Sequence, residues 1–180
     1  MTNWTDDVLD FWFNHFGPKQ WFGGGPEVDA EVRERFEPLW HSLRHEKALF
    51  FATSPDDALA AIILFDQFPR NIFRHEADAF ATDDLALAIS KLAIDAGFDT
   101  GMSKEHRQFL YLPFEHSENL ADQDMSVELF DALGDPEILR YAIMHRDLIK
   151  RFGRFPHRNE ILGRETRPEE VEAIAEGSNW

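Results

Sequence analysis

The feature that most constrains the fold of this chain is the spacing of its apolar residues, which recur with the period of an α-helix along most of its length. No segment alternates convincingly with the period of two that a half-buried β-strand requires. Ser54-Pro55 and Asp135-Pro136 each place a capping oxygen before a proline at the first helical position, where the missing N–H costs nothing. Thr166-Arg167-Pro168-Glu169 has the spacing of a capping box. We therefore predict an all-α protein.

We predict about eight helices, with ends uncertain by a few residues. Their approximate ranges are 5 to 15, 27 to 47, 55 to 68, 83 to 96, 103 to 118, 124 to 133, 136 to 152 and 167 to 176. Short connections between helices of this length favour antiparallel neighbours, and hence a helical stack or bundle. The glycine-rich segment 21 to 26 is predicted to be a loop. No linker divides the chain, so we predict one all-α domain spanning residues 1 to 180.

The composition excludes several kinds of site. The chain has 180 residues, no cysteine and a formal net charge of -16. Without cysteine there is no disulfide, zinc–thiolate site or thiol nucleophile, which suits a reducing cytoplasm. The negative charge argues against binding to nucleic acid or to an anionic membrane, because both need a basic surface. Neither a signal peptide nor a run of about 18 apolar residues is recognisable, so we expect a cytoplasmic protein that does not enter the membrane.

Basic residues are concentrated in one part of the chain. Residues 140 to 167 contain eight Lys and Arg against three acidic residues, a net charge of +5 within an acidic protein. Two interpretations stay open. The segment either pairs with acidic groups elsewhere in the protein or forms a pocket for an anion.

One phrase occurs twice, as Phe65-Asp66-Gln67-Phe68-Pro69-Arg70-Asn71 and as Phe152-Gly153-Arg154-Phe155-Pro156-His157-Arg158-Asn159. Proline disfavours the α conformation in the residue before it, so we predict that each phrase ends a helix and leaves guanidinium and amide groups there. Guanidinium groups bind carboxylate or phosphate through paired hydrogen bonds. The candidate ligand-binding residues of the two phrases are therefore Asp66, Arg70, Asn71, Arg154, Arg158 and Asn159.

Two histidines are further candidates. The segment Pro113-Phe114-Glu115-His116-Ser117-Glu118 gathers a base, a hydroxyl and carboxyl groups at one predicted helix end. Adjacent helical residues point about 100° apart, so a local catalytic pair of His116 and Ser117 is not expected. His116 and Glu118 have either a structural role or a place in a ligand site. His145 lies on an apolar helical stripe and is predicted to be partly buried, either as a hydrogen-bonded core residue or as an acid–base group.

Metal and cofactor sites are not predicted. Glu37, His41 and His45 have a spacing that could place three ligands on one helix face, but charged surface helices produce such triplets often. The glycine-rich segment is followed by Pro26-Glu27-Val28-Asp29, whereas a phosphate-binding loop needs Lys and then Ser or Thr. We predict neither a metal nor a cofactor.

Three long motifs in one order resemble the bacterial domain-of-unknown-function 924 family. They are the segments 64 to 71, 109 to 118 and 151 to 159, and Val8-Leu9-Asp10-Phe11-Trp12-Phe13 and Trp21-Phe22 agree as well. The likeness covers nearly the whole chain. It implies a helical fold similar to that of tetratricopeptide proteins and leaves the biochemical activity open.

Our first functional hypothesis is a binding module. Stacked helices leave a groove in which Arg70, Arg154 and Arg158 could hold a carboxylate or phosphate of a small molecule or peptide. A purely structural role, in which all three motifs join helix ends, needs no ligand. We expect a monomer or a homodimer.

The second hypothesis is a small enzyme that acts on an anionic substrate. His116 or His145 would be the acid–base group, and Glu118 or Asp66 its partner, while arginines orient the substrate. This hypothesis rests on the density of His, Glu and Arg in the three motifs.

Overall fold

The computed structural model describes residues 3–175, which are largely helical and include no β-strand. Their α-helices are α1 (Trp4–Asp10), α2 (Pro18–Gly23), α3 (Pro26–Leu43), α4 (Ala48–Phe51), α5 (Pro55–Ile62), α6 (Phe68–Ile72), α7 (Asp83–Asp95), α8 (Lys104–His116), α9 (Leu120–Asp131), α10 (Pro136–Phe152) and α11 (Val171–Ala175). Short 3₁₀ helices are Ala77–Phe80, Pro156–Arg158 and Pro168–Glu170, and π-helical turns are Phe11–His15 and Ile63–Gln67. The prediction of an all-α fold is confirmed. The predicted end of the last helix, at residue 176, lies outside the described residues.

The chain divides into two compact units. Unit 1 comprises Met1–Arg74 and Asp78–Pro113, and unit 2 comprises His75–Ala77 and Phe114–Trp180. The chain passes from one unit to the other inside α8. The single domain expected from the sequence stays a prediction, and the two units are described separately below.

Two of the three predicted helix starts are confirmed. The Ser54 hydroxyl oxygen accepts a bond from a backbone N–H at 3.1 Å, and the Asp135 carboxylate accepts two, at 3.0 and 3.3 Å. The predicted capping box at Thr166 is wrong by one residue. Its closing side chain is Glu170, whose Oε2 accepts the backbone N–H of Arg167 at 2.8 Å. This hydrogen bond spans the 3₁₀ turn Pro168–Glu170, which precedes α11.

The sequence misplaces two helical segments of unit 1. The predicted loop at residues 21 to 26 is partly helical, because α2 starts at Pro18, where proline is favourable, and continues to Gly23. α4 lies in a stretch where no helix is predicted. It has only four residues, so it is too short to show a helical period in the sequence.

The prediction that the first phrase ends a helix near Phe68 is wrong. The helical path runs from α5 through the π-helical turn Ile63–Gln67 into α6. Pro69 has no N–H to offer the carbonyl of Phe65, four residues earlier. Thr82 instead donates its hydroxyl to that carbonyl at 2.6 Å and accepts the indole N–H of Trp40 at 3.1 Å. A side chain from the start of α7 thus supplies the hydrogen bond that Pro69 cannot make.

The second phrase does end a helix, although glycine rather than proline makes the stop. α10 closes at Phe152, and Gly153 follows in the left-handed conformation with φ 70°. Its N–H donates to the carbonyl of Ile149 at 2.8 Å. Within unit 2, α9 packs along α10, and the two helices bury Phe130, Ala142 and Ile149.

The core of unit 1 is aromatic. Phe11, Trp12, Phe36 and Phe68 are buried, and the rings of Phe36 and Phe68 stack with centroids 4.5 Å apart. Among the described residues, no helix has the combination of length and apolar character that crossing a membrane requires.

Candidate functional site

The predicted site residues fall into two sets, one in each unit. Unit 1 contains Asp66, Arg70 and Asn71. Unit 2 contains His116, Glu118, His145, Arg154, Arg158 and Asn159.

Arg70 forms a paired interaction with Asp83 at the start of α7. Its Nη1 and Nη2 donate to the two carboxylate oxygens of Asp83 at 2.9 and 3.1 Å. Nη1 also donates to the main-chain oxygen of Asp66 and lies 3.4 Å from its carboxylate. The Asp66 side chain is fully buried and accepts the amide of Gln67 at 2.5 Å. Arg70 therefore joins α6 to α7 and stabilises a buried acid.

Asn71 takes part in a second internal cluster. It donates to Asp29 of α3 at 2.9 Å, and Arg74 donates to the same carboxylate through two bonds of 2.6 Å. Burial alone would raise the pKa of Asp29, but the hydrogen bonds from Arg74 and Asn71 lower it. The candidate residues of unit 1 thus bind acidic side chains of the same unit, which agrees with the structural interpretation of the first phrase.

Glu118 is bound by Arg164 in unit 2. Arg164 donates to its two carboxylate oxygens at 2.7 and 3.0 Å, and the backbone N–H of Phe155 donates to Oε1 at 2.7 Å. Burial opposes ionisation, but these hydrogen bonds outweigh it and lower the pKa of Glu118. Glu118 therefore holds the segment after α10 against the residues that follow α8.

Glu170 binds two arginines at once and has no accessible surface. Arg154 donates to its two oxygens at 2.7 and 2.8 Å, and Arg167 donates to Oε1 from Nε at 3.0 Å and from Nη2 at 2.6 Å. The amide of Asn159 adds a bond of 3.0 Å. The hydrogen bond from Arg154 is the largest of the effects that lower the pKa of Glu170. Two residues of the second phrase therefore share one buried carboxylate.

His145 is buried beside Glu115. Its Nδ1 lies 2.9 Å from the main-chain oxygen of Tyr141 and 3.2 Å from Oε1 of Glu115, and its ring meets the edge of Phe155 with centroids 5.5 Å apart. Burial lowers the pKa of His145 to about 3, and the neighbouring charges of His116 and Arg158 act in the same direction. His145 is therefore neutral at pH 7, and its predicted burial is confirmed.

His116 and Arg158 lie in the same part of unit 2. Nη2 of Arg158 donates to the main-chain oxygen of His116 at 3.2 Å, and its guanidinium lies 4.6 Å from the ring centroid of Phe155. The pKa of His157 is lowered to about 4, mainly by burial and secondly by the charge of Arg158. The positive charge of Arg158 therefore acts on two imidazoles, His145 and His157, and lowers the pKa of both.

A surface cleft of about 520 Å³ lies beside Glu170 in unit 2. Its lining residues are Arg154, Arg164, Glu165, Thr166, Arg167 and Pro168. Arg154 and Arg167 bind Glu170 and main-chain oxygens through Nε and Nη2. The remaining nitrogen of each, Nη1, makes no hydrogen bond with any described residue. Their side chains are 22% and 42% exposed, so both donors belong to groups that solvent reaches.

The structure places only some of the predicted site residues at the cleft. Arg154 lines the cleft, whereas Arg158 binds the main-chain oxygen of His116. Sequence reasoning missed Arg164, Arg167 and Glu170 as site residues. The only signal for Arg164 and Arg167 was the basic composition of residues 140 to 167, which does not show which side chains converge. Glu170 lies outside that segment.

The acid–base groups of the second hypothesis are arranged differently from the expectation. The carboxyl group nearest His145 is Glu115, whereas Glu118 is bound by Arg164. Asp66, the other expected partner, belongs to unit 1. Within residues 3–175, no three His, Asp or Glu side chains are arranged to hold a metal ion.

Comparison with known proteins agrees with the fold and adds no activity. The chain matches, over residues 8–178, the family described as bacterial protein of unknown function (DUF924). A solved structure of a protein of unknown function from Agrobacterium tumefaciens is similar, with 40% sequence identity and a TM-score of 0.90. The similarity covers 96% of this chain and 97% of that one. No curated protein matches the chain.

Proposed function

This chain belongs to the bacterial DUF924 family, and since that membership carries no activity, we propose a function from the geometry of unit 2. We propose that the protein binds an anion, a carboxylate or a phosphate, in the cleft lined by Arg154 and Arg167. One observation carries the proposal. The two guanidinium groups share Glu170, and each keeps Nη1 without a hydrogen-bond partner among the described residues.

The free donors of the cleft, rather than its net charge, support an anionic ligand. Glu170 pairs with Arg154 and Arg167, and Glu118 pairs with Arg164. Glu169 also lies 3.5 Å from Nε of Arg167, and Glu165 lines the cleft, so these arginines leave no net positive charge. Nη1 of Arg154 and Nη1 of Arg167 can still donate to a ligand. Charge-assisted hydrogen bonds of this kind are stronger than neutral ones and suit the oxygens of a carboxylate or phosphate.

The buried carboxylate also prepares the site before a ligand arrives. Because Glu170 binds both guanidinium groups, their planes are held in place and lose less conformational entropy on binding. An arginine that moved freely in solvent would lose more. The neighbouring carboxylates also limit the affinity, since Glu165, Glu169 and Glu170 offset the positive charge that an anion would meet.

The enzyme hypothesis has weaker support from the geometry. His145 and Glu115 form the closest acid–base pair of unit 2, but both side chains are buried. A general base must come within hydrogen-bond reach of the proton that it removes. We therefore place ligand binding at the cleft ahead of catalysis at His145.

The experiment is a calorimetric titration with inorganic phosphate and, separately, with glutarate. We expect binding to the wild type and at least a tenfold weaker association constant for Arg167→Gln. Lys150→Gln is the matched control, because it removes the same charge from an exposed position outside the cleft. Arg167→Lys keeps the charge but not the forked donors, and is expected to bind more weakly than the wild type.

Two results would contradict the proposal. One is the absence of binding to the wild type by both anions. The other is an equal loss in Arg167→Gln and Lys150→Gln, which would show that only the total charge matters.

A further inference from the structure

Unit 2 contains two buried polar side chains on one face of α9 that lack part of their hydrogen bonding. The first is Gln123, which has no accessible surface. Its Nε2 donates to the carbonyl oxygens of Phe114, Glu115 and Ser117, at 3.3, 2.6 and 2.7 Å. Carbonyl oxygens only accept, so these contacts fix which end of the amide is nitrogen. The amide oxygen, Oε1, therefore points elsewhere and has no partner among the described residues.

The second side chain is Ser126, three residues further along the same helix. It also has no accessible surface, and its hydroxyl makes no hydrogen bond with any residue from 3 to 175. Residues three apart on a helix are neighbours on one face, with their Cβ atoms about 5–6 Å apart. The exposed residues Asp124 and Met125 lie on the other side of the helix. Gln123 and Ser126 thus share the buried face of α9.

We infer that a water molecule is bound inside unit 2 between Oε1 of Gln123 and Oγ of Ser126. Buried polar groups in folded proteins are almost always hydrogen-bonded, either to protein or to ordered water. The amide oxygen needs a donor, and the hydroxyl group can donate or accept. Water can donate to the amide oxygen and can either donate to the hydroxyl or accept from it.

The chemistry of the two groups identifies the occupant as water rather than a larger ligand. Both side chains are closed off from solvent, so the molecule enters only when the unit opens locally. A larger ligand would need a lasting entrance. An anion would meet the negative end of the Gln123 amide, which disfavours it.

The test measures long-lived internal water by deuterium and oxygen-17 magnetic relaxation dispersion. We expect the dispersion of the wild type to exceed that of Ser126→Val by the contribution of one water molecule, because valine removes the hydroxyl and fills the space. The matched control is Ser90→Val in unit 1. Ser90 is equally buried, but its hydroxyl already donates to the carbonyl of Leu110, so this substitution should leave the dispersion unchanged.

A second measurement does not depend on either variant. A high-resolution crystal structure of the wild type should show water density within hydrogen-bond distance of Gln123 Oε1 and Ser126 Oγ. Absence of that density overturns the inference. Equal dispersion in the wild type and a folded Ser126→Val variant overturns it as well.

Discussion

Thr82 makes two buried hydrogen bonds that allow the helical path of unit 1 to continue through Pro69. It donates to the carbonyl of Phe65 and accepts from the indole of Trp40, and all three residues are buried. Thr82→Val replaces the hydroxyl by a methyl group of similar size. The variant therefore removes both hydrogen bonds without creating a large cavity.

The magnitude follows from the groups that are left without a partner. A buried polar group that loses its partner costs about 1–3 kcal/mol, and two such groups are affected. The added methyl group returns up to about 1 kcal/mol of apolar burial. We expect Thr82→Val to lower the free energy of unfolding by about 3 kcal/mol, near the middle of that range.

Urea unfolding followed by circular dichroism measures this difference. Thr82→Ser keeps the hydroxyl and is the matched control, with an expected loss of about 1 kcal/mol for the missing methyl group. In the double variant with Trp40→Phe, the two losses should not add, because both single variants break the same bond. If Thr82→Val were as stable as Thr82→Ser, the hydroxyl would not be what satisfies the Phe65 carbonyl and the Trp40 indole.

Two further predictions concern unit 2. An unfolded histidine titrates near pH 6.5 and the folded pKa of His145 is about 3, so the unfolded state binds the proton first and stability falls as the pH falls below 6.5. Between pH 7.5 and pH 5, urea unfolding should show a loss of about 2 kcal/mol that is missing from His145→Gln, and equal pH dependence in both proteins would contradict the assigned burial. Gly153→Ala should lower the free energy of unfolding by about 1 kcal/mol, because φ is 70° while the space around its Cβ is open. Gly23→Ala, at a helical glycine with equally open space, should not destabilise, and equal losses at both positions would contradict the role of the left-handed conformation.

Local signals explain where the sequence predicts this fold well. α10 has its predicted bounds because Asp135, Pro136 and Gly153 mark both of its ends within a few residues. The continuation through Pro69 could not be predicted in this way. Its extra donor is Thr82, which lies beyond a turn and a 3₁₀ helix and reaches the site only in the folded unit.

The candidate site, like the fold, could be predicted from the sequence only in part. The basic composition of residues 140 to 167 leaves ion pairing and anion binding open. The structure shows the ion pairs, whereas anion binding in the cleft stays a proposal. The sequence could not show that Arg154 and Arg167 meet at Glu170, because the chain has to turn back between them. The convergence depends on that reversal, which is not encoded in the spacing of charges.

The contact between Gln123 and the end of α8 sets a limit on how this chain can change in length. Loops generally tolerate insertions. One residue inserted in the first turn of α9, between Leu120 and Gln123, would turn Gln123 by about 100° and carry its amide away from the carbonyl groups to which it donates. The first turn of α9 therefore has a fixed length, and we expect insertions to be tolerated better at the glycine-rich turn before α3.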